Sequence, residues 1–165
     1  MKIFLKETYQ HHRPLLEIRS TYRTELADIY GFLESEARAK VEGNFLCNFR
    51  QIIHAFLSRE VIVAYIDDDR GFRFCGFYAV FESSGGILQV KGSERGRHIG
   101  MHLANAGLKR LKRKGVTTLK VQCAPLESKG FWQKMGAVFD EAKPWDEWGT
   151  LDLTTWKPRR AIRKS

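Results

Sequence analysis

The chain has 165 residues, of which 43% are hydrophobic and 28% charged, a composition typical of one soluble globular domain and too short for two. The longest uninterrupted apolar run, residues 61–66, is too short to cross a bilayer, and charges at positions 2 and 6 interrupt any signal peptide. We therefore expect a protein that does not associate with membranes and stays in the cytoplasm.

The formal net charge of +9 is concentrated in two segments. Residues 91–120 contain nine Lys or Arg and one acid, and residues 156–165 contain five Lys or Arg and no acid. Such segregation produces a positive field that attracts anions, although a solvated helix face is the commoner reason for a run such as residues 109–114. An anionic or nucleic-acid-bound partner is one interpretation of this pattern.

Three widely separated cysteines argue against a disulfide framework and against a zinc ribbon. We expect Cys47, Cys75 and Cys123 to be buried free thiols. His98 and His102 have the spacing of metal ligands on one helix face, but the sequence offers no third ligand near them. No metal is therefore expected.

The first half of the chain predicts one strand, two helices and a meander of three strands. Residues 15–19 have the composition of a strand, and Thr24 would cap the helix that follows. Asn44 would cap a second helix over residues 45–56. The meander strands are separated by short turns that contain glycine, so they should pair antiparallel. These strands are residues 60–66, 72–81 and 87–90.

The second half predicts two helices alternating with strands. A helix from residue 99 to Gly115 leads to a strand at residues 116–123, which should run parallel to the strand before the helix. A helix then extends from Pro125 to Gly136. Two last strands, residues 137–140 and 149–153, complete a single domain. We place this domain at residues 1–155 and a basic tail at residues 156–165.

The junction between strand 87–90 and the next helix is where the sequence most strongly indicates a ligand. It contains Arg95, Gly96, Arg97 and Gly100, at a helix N-terminus that presents unpaired N–H groups and a partial positive charge. Glycine lets the backbone approach a ligand, and arginine adds charge-assisted hydrogen bonds. A phosphate site is one interpretation, and a basic surface turn is the other.

Two segments resemble the GCN5-related N-acetyltransferase (GNAT) superfamily. Arg95-x-x-x-x-Gly100 resembles its Gln/Arg-x-x-Gly-x-Gly/Ala pyrophosphate loop, with His98 where the first glycine stands. Residues 131–137, Phe-Trp-Gln-Lys-Met-Gly-Ala, are similar to its Phe-Tyr-x-x-x-Gly-Phe segment. The predicted order of elements, β-α-α-β-β-β-α-β-α-β-β, is also the order of that family.

The resemblance implies an α/β fold with a single mixed β-sheet of about seven strands, an antiparallel N-terminal meander and about four helices. The fourth and fifth strands would form a parallel pair that splays apart for acetyl-CoA, the co-substrate, and no metal would take part. The cofactor-binding residues would come from the fourth strand, the loop, the following helix and the helix of the second segment. They are Leu88, Gln89, Val90, Arg95, Gly96, Arg97, His98, Ile99, Gly100, Met101, Ser128 and Trp132.

The sequence departs from the family pattern at positions that would assign the general acid, so the groups that transfer protons are not identified. Trp132 stands at the position of the family's tyrosine acid, and because indole does not ionise usefully, it packs against the cofactor or belongs to the core. Pro125 replaces an asparagine that contacts the cofactor in the family. Glu82, at the end of the third strand, is the first choice of general base, although a surface glutamate is the commoner role for such a residue.

Three functional hypotheses follow. The leading one is transfer of the acetyl group of acetyl-CoA to a primary amine of an unidentified acceptor, by a monomer or a homodimer. The second is a GNAT-like binding module without catalytic activity. The third is acylation of an amine bound to nucleic acid, such as aminoacyl-tRNA, which the two basic segments motivate.

Overall fold

The computed structural model describes residues 2–7, 15–41, 43–82 and 84–160. The order of elements in these residues is the predicted one. The strands are β1 (Lys2–Glu7), β2 (Val61–Asp68), β3 (Gly71–Ala79), β4 (Ile87–Val90), β5 (Thr118–Gln122), β6 (Val138–Phe139) and β7 (Trp148–Asp152). The helices are α1 (Leu15–Arg38), α2 (Phe49–Leu57), α3 (Ile99–Arg113) and α4 (Lys129–Met135), with short 3-10 turns at Leu46–Asn48, Gly92–Glu94 and Leu126–Ser128. None of the described helices is both long and apolar enough to span a membrane.

The predicted location of the first strand is wrong. Residues 15–19 begin helix α1, and Thr24 lies inside that helix rather than at its cap. The strand is β1, which pairs antiparallel with β2 and packs Ile3 and Leu5 against the core. Five residues of mixed polarity are too few to distinguish a helical period from a strand period, and this ambiguity caused the error.

The predicted single mixed sheet is also replaced by two sheets. One has the strand order β1-β2-β3-β4 and the other β5-β7-β6, and every ladder between the described strands is antiparallel. The expected parallel pairing of β4 with β5 is therefore not formed. The sheets adjoin just before β4, where a Cβ on Gly85 would lie 2.8 Å from the carbonyl oxygen of Lys120 in β5. Beyond that point β4 has no ladder to β5.

Apolar side chains cover both faces of the four-stranded sheet. On one face, β2 and β3 pack against α3, whose Gly107 lies so close to Tyr78 that a Cβ would be 2.3 Å from the ring. On the other face, Phe77 packs with α1 and α2. Two of the cysteines, Cys75 and Cys123, are buried as predicted, whereas Cys47 is exposed, which corrects that prediction.

The beginning of the basic C-terminal segment is held on the domain. Trp156 is buried, and its indole N–H donates to the carbonyl oxygen of Met135 at 3.1 Å. The side chain of Asn105 exchanges two hydrogen bonds with the backbone of Arg159, at 2.8 and 3.0 Å. These contacts join the segment to α3 and to the end of α4.

Candidate functional site

Strand β4 is the last strand of its sheet, so one of its edges faces no strand of that sheet. The N–H of Lys91 donates to the carbonyl oxygen of Cys75 in β3. Because main-chain N–H and C=O groups of successive strand residues point to opposite edges, this bond fixes which residues of β4 face β3. Residues 87, 89 and 91 direct their main-chain groups toward β3, whereas Leu88 and Val90 direct theirs toward the free edge. The three strand residues predicted to bind a cofactor thus divide, with Leu88 and Val90 at the edge and the backbone of Gln89 inside the sheet.

The loop after β4 ends at a helix N-terminus that lacks a side-chain cap. His98 is the N-cap residue of α3 and makes no side-chain capping bond. The first hydrogen bond within the helix runs from the His102 N–H to the His98 carbonyl oxygen, at 3.1 Å. The N–H groups of residues 99–101 therefore precede the first helical bond and are available to a ligand. This is the place that the sequence predicted for an anion.

The departure at His98 keeps the backbone in a conformation typical of glycine. Its φ of 63° and ψ of 9° lie in the left-handed region, and Gly96 also has a positive φ, of 79°. Glycine adopts such angles without steric cost, and histidine is among the residues enriched there. The loop thus has, at position 98, the backbone geometry for which the resembled pattern uses glycine.

The free edge of β4, the first turn of α3 and helix α4 meet around Gly100. A Cβ on Gly100 would lie 3.5 Å from the ring of Phe131, 3.7 Å from Val90 and 3.8 Å from Leu88, all ordinary van der Waals distances. These three side chains are partly buried. Phe131 was not predicted as a site residue, although it is the first residue of the segment that resembles the family.

The two predicted cofactor-binding residues near α4 lie in different surroundings. Trp132 has only 6% of its surface exposed and belongs to the core, which is the second of the two roles left open for it. Ser128 is partly buried, and its hydroxyl lowers the pKa of the neighbouring Cys123 thiol, although burial raises that pKa more. Phe131, the residue before Trp132, has its ring beside Gly100.

Arg97 is paired with carboxylates of the protein. Its guanidinium donates to Glu94 at 2.6 Å and to Asp68 at 2.7 Å, and Arg73 contacts the same two carboxylates at 3.1 and 2.6 Å. We call these four residues the ion-pair network. Because it joins the loop after β4 to the β2–β3 hairpin, it holds the loop in place, and the exposed Arg95 is the arginine of the loop that faces solvent.

The ion-pair network lowers the pKa of both of its carboxyl groups. Burial would raise the pKa of Glu94, which is 2% exposed, but the hydrogen bonds from Arg73 and Arg97 outweigh burial and the pKa falls below its usual range. Hydrogen bonds from Arg73 and then Arg97 hold the pKa of Asp68 far below its usual range. Both side chains are therefore charged at neutral pH.

Glu82, the predicted general base, lies at the other end of α3. Its carboxylate is exposed and accepts a hydrogen bond from the Lys114 ammonium at 2.8 Å. Lys114 follows the last turn of α3, and a helix of 15 residues is about 22 Å long, so Glu82 is far from the first turn of α3. This position is that of a surface glutamate and argues against a role at the loop.

A cleft of about 550 Å³ lies between α1 and the end of β4. Gln89 does not line the cleft: it is 4% exposed and is joined to the lining through its amide N–H, which donates to the carboxylate of Glu36 at 2.6 Å. Its amide oxygen is buried without a hydrogen-bond partner. The cleft is lined by Ala27, Asp28, Gly31, Phe32, Ser35, Glu36 and Lys91.

The sequence analysis did not identify this cleft, because its residues on α1 and at the end of β4 lie more than 50 positions apart in the sequence. The sequence feature that could have indicated the cleft was Gln89, a single polar residue in an apolar strand.

In the described part of the chain, no group of three or more His, Cys, Asp or Glu side chains is placed to hold a metal ion.

Comparisons with known proteins identify the fold. No family model matches the chain, and no curated protein matches it in sequence. An acetyltransferase of the GNAT family from Staphylococcus aureus superposes with a TM-score of 0.60 at 11% identity, covering 92% of this chain and 99% of that one. Tetrahymena GCN5 gives 0.54 at 12% identity, covering 96% and 100%. PaiA N-acetyltransferase from Thermoplasma acidophilum, solved with coenzyme A, gives 0.55 at 13% identity, covering 92% and 99%. The chain has the GNAT fold.

Proposed function

We propose that this protein is an N-acyltransferase that transfers the acetyl group of acetyl-CoA to a primary amine. One observation carries the proposal: the free edge of β4 leads directly into an uncapped helix N-terminus. A strand edge suits an extended ligand that contains amide groups, and a helix N-terminus suits a diphosphate. Coenzyme A has both features, and the PaiA structure of the same fold was solved with coenzyme A.

The residues present fit this ligand. Leu88 and Val90 would pair with the amide-bearing arm, and the N–H groups of residues 99–101 would bind the diphosphate. Phe131 and Gly100 would line the passage between these two parts. Arg95, which is exposed, would contact a phosphate, whereas Arg97 would hold the loop through the ion-pair network.

The reaction forms a bond between the amine nitrogen and the thioester carbonyl carbon and breaks the bond from that carbon to sulfur. The neutral amine nitrogen loses one proton and the sulfur gains one; an acceptor that binds as an ammonium must first release a further proton, through Glu36, to solvent. Acetyl-CoA supplies the activated acyl group. The Val90 N–H at the strand edge is the donor that we assign to the carbonyl oxygen, where negative charge develops. We assign the proton acceptor to Glu36, which Gln89 holds beside β4, in place of Glu82.

Calorimetric titration with acetyl-CoA, followed by measurement of free thiol with a panel of amines, tests the proposal. We expect binding and amine-dependent thiol release. Binding without thiol release for any amine would favour the inactive binding module, and the absence of binding at millimolar ligand would refute the proposal. Acylation of an amine bound to nucleic acid stays a prediction that rests on charge alone.

A further inference from the structure

We propose that the cleft between α1 and the end of β4 binds a small zwitterionic amine, whose ammonium group contacts Glu36 and Gln89 and whose carboxylate contacts Lys91. This inference rests on the proposed function and names the class of its acceptor. It predicts an amino acid or a similar amine that carries a carboxylate, and it excludes simple amines and polyamines as preferred acceptors.

The unpartnered amide oxygen of Gln89 indicates where an N–H donor is missing. Gln89 is 4% exposed, so its oxygen does not exchange freely with bulk water, and a buried acceptor without a donor costs about 1–3 kcal/mol. The orientation of the amide follows from its bond to Glu36, because a carboxylate accepts hydrogen bonds and requires the NH₂ group to face it. An ammonium group donates to both Gln89 and Glu36 and would satisfy the two acceptors together.

The charges that line the cleft indicate the second group of the ligand. In the part of the chain that the structure describes, neither Glu36 nor Lys91 has an ion-pair partner within 4.0 Å. Asp28 accepts a hydrogen bond from the hydroxyl of Tyr65 at 2.9 Å. The described lining therefore holds two carboxylates, Asp28 and Glu36, each with a neutral hydrogen-bond donor, and one ammonium, Lys91. Glu36 and Lys91 are of opposite sign, and a zwitterion would complement both.

The position of Lys91 limits the size of the ligand. Its ammonium lies 6.0 Å from the ring centroid of Phe32 and 5.3 Å from that of Phe74, so cation–π attraction holds it over the aromatic side of the cleft. Phe32 and Glu36 are one helical turn apart on α1, a rise of about 6 Å. The positive and negative contacts are therefore close enough for one molecule of amino-acid size.

Matched pairs of acceptors test the inference. L-phenylalanine would be compared with 2-phenylethylamine, and L-methionine with 3-(methylthio)propylamine, by thiol release with acetyl-CoA. We expect the member with the carboxylate to have a kcat/KM at least ~10-fold higher, the effect of one charged contact of about 1.4 kcal/mol. The Lys91→Met variant should lose this preference. Lys109→Met, at an exposed position of α3, is the matched control and should keep the preference.

A second measurement does not depend on turnover. With desulfo-coenzyme A present, L-phenylalanine should raise the melting temperature of the wild-type protein and of Lys109→Met, but not that of Lys91→Met. Equal or better turnover of the simple amines, or a Lys91→Met variant that keeps the preference, would overturn the inference while the acyltransferase activity stands. Failure of acetyl-CoA to bind would instead refute the proposed function, and stabilisation by L-phenylalanine that depends on Lys91 would still support the cleft as a zwitterion site.

Discussion

The charged side chains near strand β4 are arranged in opposite ways on its two sides. Toward the loop and α3, Asp68, Arg73, Glu94 and Arg97 form an ion-pair network in which each charge has partners. Toward α1, Glu36 accepts a hydrogen bond from the neutral amide of Gln89, and Lys91 lies over aromatic rings. Each charge of the network has an opposite charge within 4.0 Å, whereas Glu36 and Lys91 have none among the residues that the structure describes.

Under the proposed function, this difference separates residues that hold the site in place from residues that would contact the ligand. On the α3 side the paired charges hold the loop, and main-chain N–H groups are left to contact the ligand. On the α1 side the side chains themselves are left to make the contacts. A positive charge in the loop is therefore not sufficient to indicate ligand binding, because Arg97 is paired with Asp68 and Glu94.

The largest expected effect is at Gly100. A glutamate there would extend toward Phe131 and the edge of β4 and would place a negative charge beside the diphosphate, so we expect the affinity for acetyl-CoA to fall at least ~100-fold, about 2.7 kcal/mol. Gly100→Ala is the control, because its Cβ would meet only ordinary contacts of 3.5 Å or more. Calorimetry measures both, and equal affinities would show that the ligand does not pass this residue.

The second-largest expected effect is at Glu36, on the side of β4 that faces α1. Glu36→Gln should lower kcat for thiol release by about 100-fold, because loss of a general base typically costs that much or more. Affinity for acetyl-CoA should not change, since the residue lies on the other side of β4. Glu34→Gln, on the same helix and bonded to Arg38, should behave as wild type. A Glu36→Gln variant with normal kcat would remove Glu36 from the mechanism.

A smaller effect is expected for the ion-pair network. Glu94→Gln should lower the free energy of unfolding by about 2–3 kcal/mol, somewhat less than for a fully buried pair, since Arg73 and Arg97 keep 23% and 27% of their side chains exposed. Urea unfolding at pH 7 measures this loss. Glu127→Gln, at an exposed position of another 3-10 turn, is the control and should change stability little.

The same network predicts a direction for the pH dependence. The pKa values of Asp68 and Glu94 are lowered in the folded protein, so their contribution to stability is complete above the ordinary carboxylate pKa of about 4 and is lost as the pH falls below it. Glu94→Gln should therefore reduce the dependence of the unfolding free energy on pH below about 4.5. A dependence as steep as that of the wild type would contradict the assigned pairing.

The smallest expected effect is at His98. Replacement by glycine should raise the free energy of unfolding by about 0.5–1 kcal/mol, because glycine adopts the left-handed conformation without steric cost. Arg59→Gly, at a φ of 61° outside the loop, provides a second test of the same backbone effect. If only His98→Gly is destabilising, the imidazole has a role in the loop that its backbone does not explain.

Much of the site on the α3 side could be predicted from local sequence. The meander strands, the start of α3 at Ile99 and the loop that begins with Arg95 all depend on short runs of β-branched residues, glycines and helix-start signals. The order of elements could also be predicted, although β1 was placed at the start of α1. Such features depend on near neighbours in the chain, and these are visible in the sequence.

The tertiary structure alone decided how distant segments meet. β5 pairs with β7 instead of β4, Arg97 faces Asp68 across 29 positions of sequence, and Gln89 contacts Glu36 across 53. Strand pairing and charge pairing depend on which surfaces pack together. Hydrophobic periodicity and composition describe neighbouring residues and carry no information about contacts between residues far apart in the sequence. For this reason the sequence predicted where a phosphate would bind, whereas only the fold revealed the cleft on the other side of the strand.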